Sequence, residues 1–251
     1  TRKESSAASD VYKRQAEGNG ARDFDTRRSL ARGRALTIAV MHTPSLPPTR
    51  PIQPSVLYFG TPVAVLSTLN ADGHTNLTPM SSVWALADRL VLGLAEASQG
   101  CENLLARREL VINLPGPAQH EAVERLAPTT GRWPVPAYKA EMGYRHVEDK
   151  FALTGWRALP STCVRPHRVA ECPLQIEARL LAAHPCQPSA DGAAPPLRIL
   201  EVEVLQVHAH ETIVQPASQH IDTARWQPLL YVFRHYFGTG PRLGCNFRAE
   251  T

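Results

Sequence analysis

The stretch of residues 62–114 constrains the fold of this chain more than any other part of the sequence. Residues 62–69 are rich in β-forming side chains. The Asn70-Ala71-Asp72-Gly73 segment that follows is typical of a hairpin turn, because Gly tolerates a positive φ angle. Residues 75–86 then predict a returning strand, and residues 90–94 a further one. We therefore expect three antiparallel strands in succession.

The remaining predicted elements are mostly strands with a few helices between them. Alternation of polar and apolar residues predicts two long strands, over residues 169–182 and 197–208. Helical spacing predicts helices over residues 102–108 and 119–126, and a short apolar run predicts a strand over residues 110–114. The pattern indicates a mainly β fold with α-helices at its periphery.

Irregular segments separate these elements. Residues 43–54 contain five prolines, so we expect an extended lead-in, and residues 55–59 suit a short helical turn. Residues 128–160 lack a regular pattern, and loops this long in a compact domain often act as lids or binding loops. Ala190-Asp191-Gly192 is expected to be the loop that links the two long strands.

Charge is distributed unevenly along the chain. Residues 1–40 carry nine Lys or Arg against five Asp or Glu, which is the whole formal net charge of +4, so residues 41–251 carry eighteen of each. The first segment has almost no hydrophobic periodicity, and we expect a disordered or non-native extension before one domain over residues 41–251. Because that domain has no excess positive charge, no nucleic-acid partner is expected.

Cysteine and histidine patterns limit the compartment and the metals. The five cysteines are odd in number and form no C-x-x-C pair, which indicates a reducing compartment, and we expect the cytoplasm. The ten histidines show no H-E-x-x-H or similar spacing, so we predict no metal site. No apolar run approaches the roughly 20 residues that span a bilayer, so no membrane partner is expected.

The second predicted strand carries an unusual density of polar groups. Asn76-Leu77-Thr78-Pro79-Met80-Ser81-Ser82 offers amide, hydroxyl and backbone groups that suit the edge of a flavin ring, and Pro79 removes a donor and stiffens the chain. An ordinary barrel strand with polar residues facing solvent explains the same pattern. The strand taken alone leaves both interpretations open.

The segment Ser98-Gln99-Gly100-Cys101-Glu102-Asn103 opens the next predicted helix. The first backbone N–H groups of a helix have no intrahelical acceptor and can hold a phosphate. Together with residues 76–82, this helix start could supply both ends of an FMN site. Cys101 lies in the first turn, where the helix dipole would stabilise a thiolate, although a small buried hydrophobic residue is the favoured interpretation.

Further short motifs follow in order along the chain, and each alone is weak. They are Thr61-Pro62-Val63, Val111-Ile112-Asn113-Leu114-Pro115, Asp149-Lys150-Phe151, Ala170-Glu171-Cys172-Pro173-Leu174, His220-Ile221-Asp222 and Arg234-His235-Tyr236-Phe237-Gly238. With the segments described above, the ordered set over residues 52–251 resembles the flavin reductase-like, FMN-binding split-barrel family. The resemblance implies a Greek-key split β-barrel, a homodimer with FMN near the subunit interface, and reduction of flavin by NADH or NADPH.

The residues and the resemblance together predict which side chains contact the cofactor. Hydride passes from nicotinamide to flavin without a protein acid or base, so no catalytic residue is expected. His235 is included because residues 234–238 combine charge with aromatic rings and could reach the pocket across the dimer. The predicted cofactor-binding residues are Asn76, Leu77, Thr78, Pro79, Met80, Ser81, Ser82, Ser98, Gln99, Gly100, Cys101, Asn103 and His235.

The phosphate end departs from the pattern of the family. Many relatives open this helix with Ser-Lys-Thr, whereas this chain has Ser98-Gln99-Gly100 and lacks the charge and one hydroxyl. Either FMN is held loosely and exchanged as a substrate, or a distant cation completes the site. Arg132, Lys139 and Lys150 are the candidates, and a solvated surface charge is the alternative for each of them.

Aromatic residues form a second group of candidates. Trp133, His235, Tyr236 and Phe237 could stack on flavin or nicotinamide, and His235 or Tyr236 is expected to reach the pocket. Trp84, Trp156 and Trp226 are expected in the core. The function predicted from all of these features is that of an NAD(P)H:flavin oxidoreductase. A flavoredoxin-like electron carrier and a non-catalytic FMN-binding protein are the alternatives. Its predicted partners are flavin and nicotinamide nucleotides, a second copy of the chain, and a flavin-dependent monooxygenase or electron-transfer protein.

Overall fold

The computed structural model describes residues 46–187 and 195–246 of the 251-residue chain. The predicted extension over residues 1–40 and the predicted loop at residues 190–192 lie outside the described residues. The chain divides into two units, residues 1–51 and residues 52–251. Described residues 46–51 of the first unit form no helix or strand, so every element below belongs to the second.

Short strands account for most of the regular structure in the described residues. Three helices of five to nine residues carry buried side chains against them, and a fourth lies in the long segment after residue 127. The strands are β1 (Phe59–Pro62), β2 (Ala64–Leu69), β3 (Thr75–Met80), β4 (Val83–Leu86), β5 (Arg89–Ala95), β6 (Glu109–Leu114), β7 (Thr129–Thr130), β8 (Arg145–His146), β9 (Ala158–Leu159), β10 (Arg168–Val169), β11 (Leu174–Pro185), β12 (Leu197–Ala209), β13 (Leu230–Val232) and β14 (His235–Phe237), and the helices are α1 (Gln99–Arg107), α2 (His120–Leu126), α3 (Ala137–Glu141) and α4 (Lys150–Thr154).

A seven-stranded antiparallel sheet forms the body of the molecule, in the order β3-β2-β6-β11-β12-β5-β4. The two edge strands, β3 and β4, are joined by Ser81 and Ser82 alone, so the sheet must curl until its edges meet at this corner. Gly93 N donates to Ser82 O at 2.8 Å and ties the corner to β5. A Cβ at Gly93 would lie 3.0 Å from Ser82 Cβ, so a larger residue would force Ser82 to shift by a few tenths of an ångström.

This corner overturns part of the strand prediction. The hairpin turn at residues 70–73 is confirmed, with Gly73 at φ +90° and Asn70 N donating to His74 O at 2.8 Å. The single strand over residues 75–86 is wrong, because β3 pairs with β2 whereas β4 pairs with β5. Three strands in succession therefore do not form, and the sheet closes through two strands with different neighbours.

Two hydrophobic clusters hold the sheet from opposite faces. The first includes Leu66, Leu92, Ile112 and Leu200 from four strands of the large sheet, together with Leu104 of α1. The second packs α2 and α4 against the other face of β2 and β3. Because both faces are covered, all six residues of β2 are buried, which explains its lack of polar and apolar alternation.

The helices begin and end at identifiable caps. Helix α1 starts at Gln99, three residues before the predicted 102–108, because Ser98 Oγ accepts a hydrogen bond from Cys101 N. Its last turn ends at Arg108, which adopts a left-handed conformation with φ 62°. The predicted helix over residues 119–126 is confirmed as α2, preceded by a short 3₁₀ turn over Pro117–Gln119.

Three further predictions need correction. Residues 55–58 form no helical turn, and Phe59 begins β1, which pairs with β13. The segment of residues 128–160 is not wholly irregular, because α3, α4 and short strands lie within it. The long strand expected from residue 169 begins at Leu174, because residue 169 belongs to β10.

The tryptophans differ in how far they are buried. Trp156 is buried as expected, but Trp84 on edge strand β4 is 54% exposed, and Trp226 is only partly buried. An edge strand covers fewer of its side chains, which accounts for the error at Trp84.

Among the described residues, no helix has the length and apolar character needed to cross a membrane.

Candidate functional site

A cavity of about 700 Å³ opens beside the corner between β3 and β4. Its volume falls within the roughly 300–1,000 Å³ of small-molecule and cofactor sites. Its wall is formed by Tyr58, the β3–β4 corner, the end of β5, the start of α1, the segment of residues 127–150, Cys186 just after β11, and the start of β12. The two segments singled out in the sequence therefore meet at one cavity.

The strand side of the cavity is polar and partly exposed. Thr78, Pro79, Met80 and Ser82 line it, and Tyr58 joins them through a 3.0 Å hydrogen bond between its hydroxyl and Ser82 Oγ. Pro79 is tolerated because β3 is an edge strand of the sheet. This wall offers hydroxyl groups and an apolar edge to a flat ligand.

The remaining residues of 76–82 point elsewhere. The Leu77 side chain is buried in the second cluster, and the Ser81 side chain lines an adjoining cavity of about 240 Å³. Asn76 is 1% exposed and donates to Thr78 Oγ1 at 3.1 Å, and its buried Oδ1 has no hydrogen-bond partner among the described residues. That oxygen packs against Gly131, where an added Cβ would come within 2.4 Å of it. Asn76 thus orients Thr78 instead of forming the wall itself.

The start of α1 closes one end of the cavity. Ser98 and Gln99 line it, and the backbone N–H groups of Gln99 and Gly100 are the first of the helix, without intrahelical acceptors. An added Cβ at Gly100 would lie 2.7 Å from Thr78 Oγ1, so the glycine lets the helix start touch β3. The predicted anion-binding helix start therefore faces the cavity, next to the polar strand.

Two residues predicted at this helix start do not reach the cavity. Asn103 donates to Thr68 Oγ1 at 3.2 Å and to Asn70 Oδ1 at 2.7 Å, so it fastens the β2–β3 turn to α1. Cys101 is 0% exposed, and burial raises the pKa of its thiol. The thiolate interpretation of Cys101 is wrong, and its side chain is a small hydrophobic group of the barrel core.

Lys150 is the most unusual side chain of the cavity. It is 3% exposed, it lines the cavity, and its Nζ donates to Leu77 O at 2.7 Å. Among the described residues no carboxylate lies within 4 Å of that Nζ. Burial, followed by repulsion from Lys139, lowers the pKa of Lys150 to about 7. The alternative of a solvated surface charge is therefore wrong for Lys150.

The other two candidate cations differ from each other. Lys139 also lines the cavity, and burial followed by the charge of Arg132 lowers its pKa. Its Nζ lies 5.7 Å from the centre of the Tyr144 ring. Arg132 pairs with Glu102 and borders a separate groove instead. Lys139 and Lys150 thus give the cavity a cationic wall, to which Arg132 does not belong.

The aromatic candidates lie at different places on the surface. Trp133 is 76% exposed and lies beside Arg132 at the separate groove. Gln99 lines both this groove and the main cavity. His235 is exposed at a separate shallow cavity, so one chain alone does not bring it to the site. Tyr236 donates to Glu124 Oε2 at 3.0 Å and borders the small adjoining cavity.

Several lining residues were missed in the sequence. Tyr138 has a buried hydroxyl without a hydrogen-bond partner among the described residues, and burial raises its pKa. Across the cavity, Arg198 on β12 pairs with Glu96 at 2.8 Å. One local signal was available, because Asp149 caps α4 through Ala152 N at 2.9 Å and so places Lys150 at its first position. No local pattern distinguishes Tyr138 or Arg198 from surface residues.

Comparisons with known proteins agree with this architecture. The family model described as a flavin reductase like domain matches residues 56–240. Uncharacterized protein YdfE of Bacillus subtilis (strain 168) is 40% identical over 200 residues, which cover 80% of this chain and 94% of that protein. Flavoredoxin of Desulfovibrio vulgaris (Miyazaki F) has a similar structure, with a TM-score of 0.64 at 19% identity, covering 80% of this chain and 98% of that chain.

A second solved structure identifies the barrel type. It is a putative flavin reductase with a split barrel domain from Shewanella frigidimarina NCIMB 400, with a TM-score of 0.57 at 17% identity, covering 76% of this chain and 87% of that chain. The predicted mainly β fold, a split barrel with peripheral helices, is confirmed. The chain belongs to the flavin reductase-like family, whose chemistry is flavin-linked oxidoreduction.

Proposed function

We propose that this protein binds FMN and transfers hydride from NADH or NADPH to flavin. The observation that carries the proposal is the cavity itself, where the polar β3 wall and the start of α1 meet two lysines. A flavin nucleotide combines a flat, mainly apolar ring system with a phosphate. The cavity offers matching groups for both parts within one volume.

The residues fit the nucleotide despite the missing Ser-Lys-Thr motif. The hydroxyl groups of Thr78 and Ser82 suit the ring edge, and the first N–H groups of α1 suit a phosphate. Lys139 and Lys150 supply the positive charge that Gln99 and Gly100 lack. This arrangement supports the version in which another cation completes the site over the version in which FMN is held loosely.

When bound, FMN supplies a ring that accepts and passes on hydride. The chain's own residues then bind and orient it and exclude water, so no acid or base is needed among them. Tyr58, Met80 and Leu94 provide apolar surface for that purpose at the mouth of the barrel. Binding, orienting and shielding the ring require no acid or base, which is why no catalytic residue is predicted.

We further propose that the working form is a homodimer with FMN near its interface. Trp84 and Leu86 on β4, and Leu197 and Ile199 on β12, are large exposed hydrophobic residues. Leu197 and Ile199 also line the cavity, so a second copy that covers them would close it. The reduced flavin would then serve a monooxygenase or an electron-transfer partner.

An anaerobic reduction assay tests the proposed function. Purified protein with FMN and either NADH or NADPH under argon is expected to bleach the flavin absorbance faster than flavin and nicotinamide without protein. A flavoredoxin-like carrier would retain stoichiometric flavin but leave both nicotinamides unoxidised. A protein that binds FMN but is reduced by neither nicotinamide nor a protein donor would be a binding protein only. Either result would contradict the reductase proposal.

A further inference from the structure

The amine of Lys150 has unused hydrogen-bonding capacity inside the cavity. An ammonium carries three N–H donors, and Leu77 O accepts one of them. The described residues offer no acceptor for the other two, although the side chain is 3% exposed and its residue lines the cavity. A buried charge without a partner is costly, so the site is complete only when an anion enters or the amine loses its proton.

None of the charged and titratable described groups around Lys150 supplies an acceptor for its two unpaired N–H donors. On its own element, the Asp149 carboxylate accepts from Ala152 N, and β3 carries no titratable side chain. Helix α2 carries Arg125, which donates to Thr154 O, and Glu124, which accepts from Tyr236. The remaining groups are exposed His120 and Glu121 on α2, together with Lys139, Glu141, Tyr138, Tyr144 and the paired Glu96 and Arg198 around the cavity.

We propose that Lys150 is a proton-linked anchor: its amine takes up a proton from solvent when a flavin nucleotide enters the cavity, and the resulting ammonium pairs with the negative charge of the nucleotide. The inference rests on the proposed function, since it needs an anionic flavin in this cavity. Only a proton moves, from water to Lys150 Nζ, and no bond to the ligand forms. Two parts of the nucleotide could accept from the ammonium: the charged phosphate, and the neutral oxygen and nitrogen acceptors of the ring edge.

This linkage fixes the direction of the pH dependence. In the free protein the pKa of Lys150 is about 7, so the amine is charged below that pH and mainly neutral above it. A bound anion raises the pKa again, because it stabilises the ammonium. The contribution of Lys150 to FMN affinity therefore stays constant well below pH 7. It falls above pH 7 by up to about tenfold per pH unit, until the pKa of the complex is reached.

Titration calorimetry at pH 8 in two buffers of different protonation enthalpy measures the proton uptake directly. The second pKa of a phosphate monoester is about 6, so the FMN phosphate is already a dianion at this pH. We expect about half to one proton to be taken up per FMN bound. In Lys150→Gln, which keeps a donor for Leu77 O, we expect no uptake and a flat affinity profile from pH 7 to 8.5.

Lys139→Gln is the matched control, because it removes the neighbouring cation and leaves Lys150 to titrate. It is expected to retain a smaller uptake, because loss of the Lys139 charge raises the pKa of Lys150 in the free protein. Loss of uptake in Lys139→Gln with retention in Lys150→Gln would overturn the proposal. Riboflavin distinguishes the two acceptors: uptake with FMN alone points to the phosphate, and uptake with both points to the ring. Both outcomes support Lys150 as the anchor.

A direct measurement keeps the test independent of how well the variants fold. The NMR signal of the ¹³Cε of Lys150 in labelled wild-type protein should titrate near pH 7 without ligand and more than one unit higher with FMN. An unchanged midpoint, with FMN shown to be bound, would refute the linkage and leave the flavin function standing. Absence of any flavin binding would refute the proposed function instead.

Discussion

The start of helix α1 and the segment of residues 137–150 approach the same cavity with different chemistry. The helix start offers neutral groups: the Ser98 cap, the Gln99 amide and backbone N–H donors. The other segment offers Lys139 and Lys150, two cations whose pKa values are lowered by burial. The first kind of site is visible in consecutive residues, whereas the second exists only because the chain folds back over the cavity.

The two lysines support the proposal that positive charge from outside the helix start replaces the lysine of the family's Ser-Lys-Thr motif. Charge-assisted hydrogen bonds are roughly twice as strong as neutral ones, so a helix start without a lysine holds a phosphate weakly by itself. Lysines supplied from α3 and α4 can replace that charge without occupying the same sequence positions. The two regions should therefore contribute unequally to flavin affinity and to stability.

Removing both cations is expected to have the largest effect. At pH 6.5, where Lys150 is mainly charged, the double variant Lys139→Gln and Lys150→Gln should weaken FMN binding about hundredfold, since each charge-assisted contact contributes about 1.5–3 kcal/mol. Flavin fluorescence quenching measures the affinity. Arg132→Gln is the control, because Arg132 pairs with Glu102 outside the cavity, and its change should stay within about threefold. Equal losses in the two proteins would remove the distinction between them.

A substitution at Gly100 tests the contact between α1 and β3. Gly to Ala inside a helix ordinarily stabilises it by about 1 kcal/mol. Here the new Cβ would lie 2.7 Å from Thr78 Oγ1, so Gly100→Ala should lower the free energy of unfolding by about 1–3 kcal/mol. Denaturant unfolding measures it, with Gly240→Ala as control because no heavy atom lies within 4 Å of its added Cβ. A Gly100→Ala variant that is more stable than the wild type would show that β3 moves to make room for the added Cβ.

Two substitutions at Ser98 give the smallest expected effect and separate capping from anion binding. Ser98→Ala should cost about 1 kcal/mol of stability, because the hydrogen bond to Cys101 N is lost. Ser98→Asp keeps a cap, so it should unfold like the wild type, yet it should weaken FMN binding more than Ser98→Ala through repulsion of the phosphate. Thermal unfolding and flavin titration of the pair provide the measurement. Equal FMN affinity in the two variants would place the phosphate away from α1.

Local patterns were sufficient for some elements of the fold. The turn at residues 70–73 depends on interactions within a few residues, and the structure confirms it. The separation of β3 from β4 was not predictable in this way, because residues 75–86 read as one β-rich run. Which neighbour each strand pairs with depends on the closure of the sheet, a property of residues distant in sequence.

The same distinction applies to the candidate site. Thr78, Ser82, Ser98 and Gln99 were predicted as binding residues and do line one cavity. Cys101 and Asn103 belong to the same helix start, but helical geometry turns their side chains towards the core and the β2–β3 turn. Sequence adjacency alone does not reveal which side of a helix faces a ligand when the helix is covered on several sides.

The ordered motifs, and with them the family and a mainly β fold, follow from the amino-acid sequence, because turns and polar–apolar alternation depend on residues close together in the chain. Tertiary structure alone decided that Lys150, a charged residue in a segment read as irregular, is buried with Nζ at Leu77 O. Burial changes the proton affinity of an amine, and burial is set by what the whole fold packs around it. The cationic wall of the cavity is therefore a product of the fold.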